Sequence, residues 1–233
     1  MPPTLANKAL KYRLESNPRD TNVSPHCHAL PHMTATTLIP LDALLRDIRA
    51  CTICAPVLPH TPRPVVVAAE QSRILIIGQA PGARVHASGV PWSDASGARL
   101  RNWLEVDEAT FYDATRFALV PMGFCFPGRG PSGDLPPRPE CAAHWHHDLL
   151  AQMRSVRLTL LIGQYAQRFG LGAAFGASST DTLMRWCEFG PTVLPLPHPS
   201  PRNIAWFKRN AWFEADILPT LRERVRSALS SAA

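Results

Sequence analysis

Four short, largely apolar runs set the limits on what this chain can become. They are Arg73-Ile-Leu-Ile-Ile77, Phe117-Ala-Leu-Val120, Leu158-Thr-Leu-Leu-Ile162 and Thr192-Val-Leu-Pro-Leu196, and the residue after each is a glycine or a proline: Gly78, Pro121, Gly163 and Pro197. Apolar runs of this length without polar alternation read as strands buried on both faces, the habit of parallel sheets covered by helices. Helical stretches lie between them, among them Ser96 to Trp103 and the segment opening at Gln164. Strand and helix in alternation imply an α/β protein, a three-layer α/β/α sandwich around a central, mainly parallel four-stranded sheet. Ligands of such sheets bind beyond the carboxyl ends of the strands, so the glycine and proline punctuation marks where chemistry is expected.

With 233 residues, 45% of them hydrophobic, the chain can bury one sizeable core, and a single domain is expected over 39–227. Residues 1–38 mix Pro, Asn, Ser, Thr and His without apolar periodicity and read as a disordered tail; 228–233 read as a short C-terminal tail. Met33 is a candidate true start, because the amphipathic pattern Leu41, Leu44, Leu45, Ile48 begins just after it. The 24 prolines concentrate in loops, at Pro56 to Pro64 and Pro127 to Pro139. Lysine plus arginine exceed aspartate plus glutamate, 24 to 18, and the net charge of +6 favours a polyanionic partner. No apolar run is long enough for a membrane span and no basic-then-apolar leader is present, so a cytoplasmic monomer is expected. In a reducing compartment the six cysteines read as metal ligands, core residues or reactive thiols rather than disulfides.

Two strand ends carry the most specific text. Gly78-Gln79-Ala80-Pro81-Gly82, followed by Ser88-Gly89-Val90-Pro91-Trp92, resembles the first motif and following loop of uracil-DNA glycosylases, especially their iron-sulfur (family 4) branch. His198-Pro199-Ser200-Pro201-Arg202-Asn203 is similar to that family's third motif, and it too follows a strand. Each pentapeptide alone is a weak signal; two in the right order, with a matching cysteine pattern over roughly residues 45–222, are a stronger one. The resemblance implies a monofunctional glycosylase that hydrolyses the N-glycosidic bond of uracil or a related deaminated or modified base in DNA.

An N-glycosidic bond breaks through a dissociative, oxocarbenium-like transition state that leaves negative charge on the departing base. Catalysis is then largely electrostatic, and rigid donors must stand where the charge develops. Backbone N–H groups around Gly78, Gln79 and Ala80 are such donors. His198, between Pro197 and Pro199, corresponds to the family histidine that polarises the base oxygen; a histidine between prolines can also merely cap a turn. Trp92 stands where the family places a ring that stacks on the flipped base, the alternative being core packing. Asn203 is a further substrate-binding candidate from the third motif. No lysine occupies a motif position, so no Schiff-base intermediate is expected.

The chain departs from the family in two places. The iron-sulfur branch has Glu where this chain has Gln79, which leaves Asp94 and His86 as the nearest candidates to supply the missing chemistry. Asp94 can equally cap the helix that follows it. The asparagine that reads the uracil edge in relatives is Pro121 here, which opens base preference to hypoxanthine or a 5-substituted uracil.

Cys51-x2-Cys54 and Cys125-x15-Cys141 have the pair spacings of the iron-sulfur glycosylases, and the resemblance implies a [4Fe-4S] cluster on these four residues. Four thiolates suit tetrahedral zinc nearly as well, and ordinary buried cysteines are the plain alternative. Cys27 and Cys187 have no partner in the pattern. For DNA contact, Arg202, Lys208 and Arg209 surround Trp206 and Phe207, a mixture suited either to phosphates beside a wedge or to a solvated helix over core aromatics. Arg129 and Arg138 are further phosphate candidates, and Arg222, Glu223 and Arg224 read as a solvated face. Two rivals to the glycosylase remain: a non-catalytic iron-sulfur protein that binds damaged or single-stranded DNA, and a zinc or iron-sulfur hydrolase acting on a small nucleotide.

Overall fold

A computed structural model describes residues 39–230. The proposed tail over 1–38, with Met33 and Cys27, lies outside the described residues, as do the last three positions. The four apolar runs form one parallel sheet: β1 (Ile74–Ile77), β2 (Phe117–Leu119), β5 (Leu158–Ile162) and β6 (Val193–Leu196), in the order β2-β1-β5-β6. Ile74 pairs with Phe117 on one side and Leu158 on the other, and Leu161 with Pro195. An isolated antiparallel bridge between Val67 and Leu119 covers the outer edge of β2. A proline in a strand is tolerated where its missing N–H is not needed, and β6 is the other edge of the sheet.

The sheet is apolar on both faces because alternate residues feed opposite layers. Ile74 and Ile76 join Leu100, Trp103 and Leu104 from α3 (Ala95–Leu104) and Leu221 and Val225 from α9 (Leu218–Ser230) on one face. Leu75 and Ile77 join Leu44, Leu45 and Ile48 from α1 (Leu41–Arg49) and Leu149 from α5 (His147–Gln152) on the other. This is the expected three-layer α/β/α sandwich. Shorter helices complete it: α2 (Ala83–Ser88), α4 (Glu108–Tyr112), α6 (Gly163–Leu171), α7 (Ser179–Met184) and α8 (Ile204–Arg209). A two-stranded hairpin, β3 (Arg129–Gly130) with β4 (Gly133–Asp134), interrupts the proline-rich loop between Cys125 and Cys141.

The last helix differs from its reading as a solvated face. Leu218, Leu221, Val225 and Ala228 are buried. Arg222 pairs with Glu105 at 3.1 Å, and Arg224 donates to the carbonyls of Gly190 and Val193 at 3.0 and 3.2 Å. Its periodicity was apolar on one side, and the long arginine stems fasten it on the other.

Candidate active site

A cavity of about 630 Å³ opens beyond the carboxyl ends of the strands. Its floor is the loop after β1, Gly78 to Gly82, and its walls include Trp92, Asp94, Pro121, His198 and the β3–β4 hairpin. The structure therefore brings together all three expected catalytic residues, Gln79, Asp94 and His198, with the binding candidates Gly78, Ala80, Trp92 and Asn203.

The loop after β1 is held by its carbonyls. Met122 N–H donates to Gly78 at 2.9 Å and Gly123 N–H to Gln79 at 3.0 Å, whereas the N–H groups of Gln79 and Ala80 make no backbone hydrogen bond among the described residues. Glycine is required at 78 by contact: a Cβ there would stand 2.9 Å from the Trp92 ring. Trp92 itself has a left-handed backbone, φ 56°, unusual for a bulky residue and a sign of imposed geometry. Arg101 holds its carbonyl at 3.2 Å, and its ring lies 6.0 Å from that of His198, tilted by 33°. Trp92 rests against the core, the plain alternative for it, and also lines the cavity.

His198 is fixed by three neighbours. Ser200 N–H donates to its Nδ1 at 3.2 Å, and the Asn203 amide donates to its carbonyl oxygen at 2.8 Å. Arg99, from α3, donates to the carbonyls of Pro199 and Ser200 at 3.1 and 3.2 Å. An accepting Nδ1 leaves the proton on Nε2, so the ring is a neutral imidazole with one free donor. Burial lowers its pKa below the ordinary imidazole value, opposed by the carboxylates of Asp94 and Asp134. Asn203, expected to contact substrate, lines the cavity and through Nδ2 also supports His198.

Asp94 caps α3, accepting from Gly97 N–H at 3.0 Å, so the capping alternative holds while the residue also faces the cavity. His86 is corrected: it turns away from the cavity to lie against His60, ring centroids 4.1 Å apart, and Phe126. The carboxylate that sequence reasoning passed over is Asp134 on β4, which lines the cavity; its only signal was an acidic residue inside the proline- and glycine-rich loop. Arg99 was missed as well, since nothing in a helical sequence says which strand end an arginine will reach.

The four cysteines of the two pairs approach one another. Cys54 and Cys125 share a small cluster with Leu58, and each of Cys54, Cys125 and Cys141 feels the charge of Cys51. Burial pushes the Cys125 thiol up to about 11 and that of Cys141 up to about 12, while Cys54 is raised for the same reason. Donors nevertheless point at the sulfurs: Phe124 N–H at Cys141 Sγ, 3.5 Å, the Arg63 backbone at Cys125 and the Arg138 side chain at Cys54. Among the described residues no three His, Cys, Asp or Glu side chains converge closely enough for a single metal ion. Arg138 is engaged here, paired with Glu140, and is not a free phosphate contact. Buried His146, also unforeseen, bridges the carbonyls of Cys141 and Pro121 through its two ring nitrogens, 3.3 and 3.1 Å away, one of them donating. The ring thereby lies between the cysteine region and the cavity wall, hydrogen-bonded to one of the two carbonyls.

Arg202 lies at the cavity rim over Gly133; Lys208 and Arg209 are exposed on α8. Trp206 and Phe207 are core-facing, with Trp206 Nε1–H donating to Thr180 at 2.9 Å, so neither is a wedge. Ile204, 46% exposed, is the apolar side chain presented beside these cations. No helix among the described residues is long and apolar enough to cross a membrane. The cavity, its histidine and its strand-end loops all fall within residues 64–222, which match the model of the uracil DNA glycosylase superfamily, and the chain belongs to that family.

Proposed function

We propose that this protein is a monofunctional DNA glycosylase that extrudes uracil or a related deaminated or modified base and hydrolyses its N-glycosidic bond. The observation that carries the reading is the Ser200 N–H bond to His198 Nδ1, which leaves Nε2 to donate, in a cavity also lined by Gln79 and Ala80, whose N–H groups make no backbone hydrogen bond among the described residues. As the bond to the sugar lengthens, negative charge collects on the base, and donors already in position strengthen without reorganising. Trp92 offers a π-face for the extruded base, and Pro121 leaves its edge without the amide that would select uracil. Arg202, Lys208 and Arg209 would meet phosphates around Ile204, an apolar side chain that can enter a base step. Among the described residues no lysine lines the cavity, which favours hydrolysis over a Schiff-base route.

Cys51, Cys54, Cys125 and Cys141 would hold a [4Fe-4S] cluster, as in the iron-sulfur branch of the family. The N–H donors at three of the sulfurs suit thiolate ligands. Tetrahedral zinc on the same four thiols is the alternative. Such a cluster would tie α1, the loop after β2 and the hairpin segment together.

The test is a panel of oligonucleotides, single- and double-stranded, each with one modified base. Release of free base from at least one, with the strand left uncut, is the expected result. Tight binding without release would instead favour a non-catalytic damage-binding protein, the reading that Gln79 and Pro121 leave open.

A further inference from the structure

The cavity holds two carboxylates, and only one of them is committed. Asp94 spends an oxygen on capping α3. Asp134 lines the same cavity, is exposed, and among the described residues its side chain has no hydrogen bond or ion pair. The hairpin that carries it packs against its neighbours at two glycines. A Cβ at Gly82 would lie 3.4 Å from Asp134 Oδ2, and Gly133, φ 139°, lets the Arg202 guanidinium pass where a side chain would stand. Arg129 faces Asp134 directly across the hairpin, yet no ion pair forms between them. The charges of Asp94 and, more weakly, of Asp134 both reach His198. An oxocarbenium-like transition state needs what this places there: an anion near the sugar and an acceptor for the proton of the attacking water.

We propose that Asp134 is a catalytic carboxylate of this enzyme, stabilising the sugar cation and orienting the water that captures it, a role that Gln79 cannot fill. The inference rests on the glycosylase reading above. The C1′–N bond breaks with its electron pair leaving on the base, whose oxygen accepts from His198 Nε2–H. The water oxygen then gives a pair to C1′, its proton passes to Asp134 and on to solvent, and the released base takes a proton from solvent. Charge and atoms balance without a further reactant. Asp134 also sits on the segment between Cys125 and Cys141, so the cysteine region sets the position of this carboxylate.

Two measurements on the full-length metal-loaded protein test the proposal. Asp134→Asn should lower single-turnover base release on the order of 10²-fold. The second measurement needs no turnover: wild-type protein should bind DNA bearing a cationic azasugar at the abasic position more tightly than DNA bearing the neutral tetrahydrofuran analogue. Asp134→Asn should abolish that preference, and Asp94→Asn should keep it. The proposal is overturned if Asp134→Asn retains the cation preference, or if Asp94→Asn alone loses it. Absence of base release from every oligonucleotide would refute the glycosylase reading itself, while the analogue comparison would still decide whether Asp134 is the anion of the cavity.

Discussion

The Nδ1 atom of His198 accepts a hydrogen bond from the backbone N–H of Ser200, 3.2 Å away. That bond selects the tautomer, and with it the direction in which the residue donates. His198→Ala should therefore slow the single-turnover step by on the order of 10²- to 10³-fold, as for one oxyanion-type donor, with DNA affinity little changed. A loss below about threefold in a folded protein would leave the charge to the loop amides alone.

The same bond fixes a pH dependence. Protonating Nδ1 breaks it and puts a cation in a desolvated place, so the folded pKa lies below the ordinary value. A histidine depressed in this way stabilises the fold fully above about pH 6.5 and loses that contribution as pH falls below it. Base release should stay level from about pH 8 to 6.5 and decline only on further acidification, and urea midpoints should fall over the same acid window. His198→Ala should remove the His198 part of the midpoint drop; an equal slope with and without the imidazole would contradict the assignment.

Trp92 and Gly97 make a second pair to separate. Trp92→Ala should weaken productive DNA binding by about 1 to 3 kcal/mol, read by titration against DNA with an inert base analogue. Gly97→Ala should act on the fold, because the added methyl meets the Trp92 carbonyl, which is backbone and cannot turn aside. Overpacking of this kind costs about 1 to 3 kcal/mol or more, visible as a lower urea midpoint. An unchanged midpoint would mean the loop after α2 is freer than its contacts imply.

For the cysteines, anaerobically purified protein should be brown and carry about four irons. Cys125→Ser should lose iron and stability together, since binding energy of a buried metal site is in part folding energy. Colourless, fully folded protein with a zinc ion would replace the cluster by the simpler site.

Lys208 and Arg209 should act on affinity without regard to sequence. Each changed to Ala should flatten the plot of log affinity against log salt by about one. If the slope keeps its wild-type value, DNA approaches from another side of α8.

How far the sequence carried the argument depended on range. The sheet was legible because Ile74 to Ile77 and Leu158 to Ile162 must be buried on both faces, whatever surrounds them. His198 and Gln79 were legible because strand ends define where such a fold does chemistry. Asp134 was not: it belongs to a loop with no periodicity, and only the folding of the hairpin onto Gly82 gives it a position. The second contact of Asn203 was illegible for a related reason, since only the fold shows that an amide lining the cavity also donates to the His198 carbonyl at 2.8 Å. Arg99 acts across 100 residues of sequence and His146 across 25, distances over which local patterns carry no information.

The strand-end arrangement has a consequence for how such a protein can change over generations. Gln79 and Pro121 sit on half-buried loops at the strand ends, while the side chains that fill the two core layers lie on the faces of the sheet. Substitution at either loop position alters the rim that meets a base but removes little of what keeps the domain folded. Recognition chemistry at these two positions can therefore be exchanged at nearly constant stability.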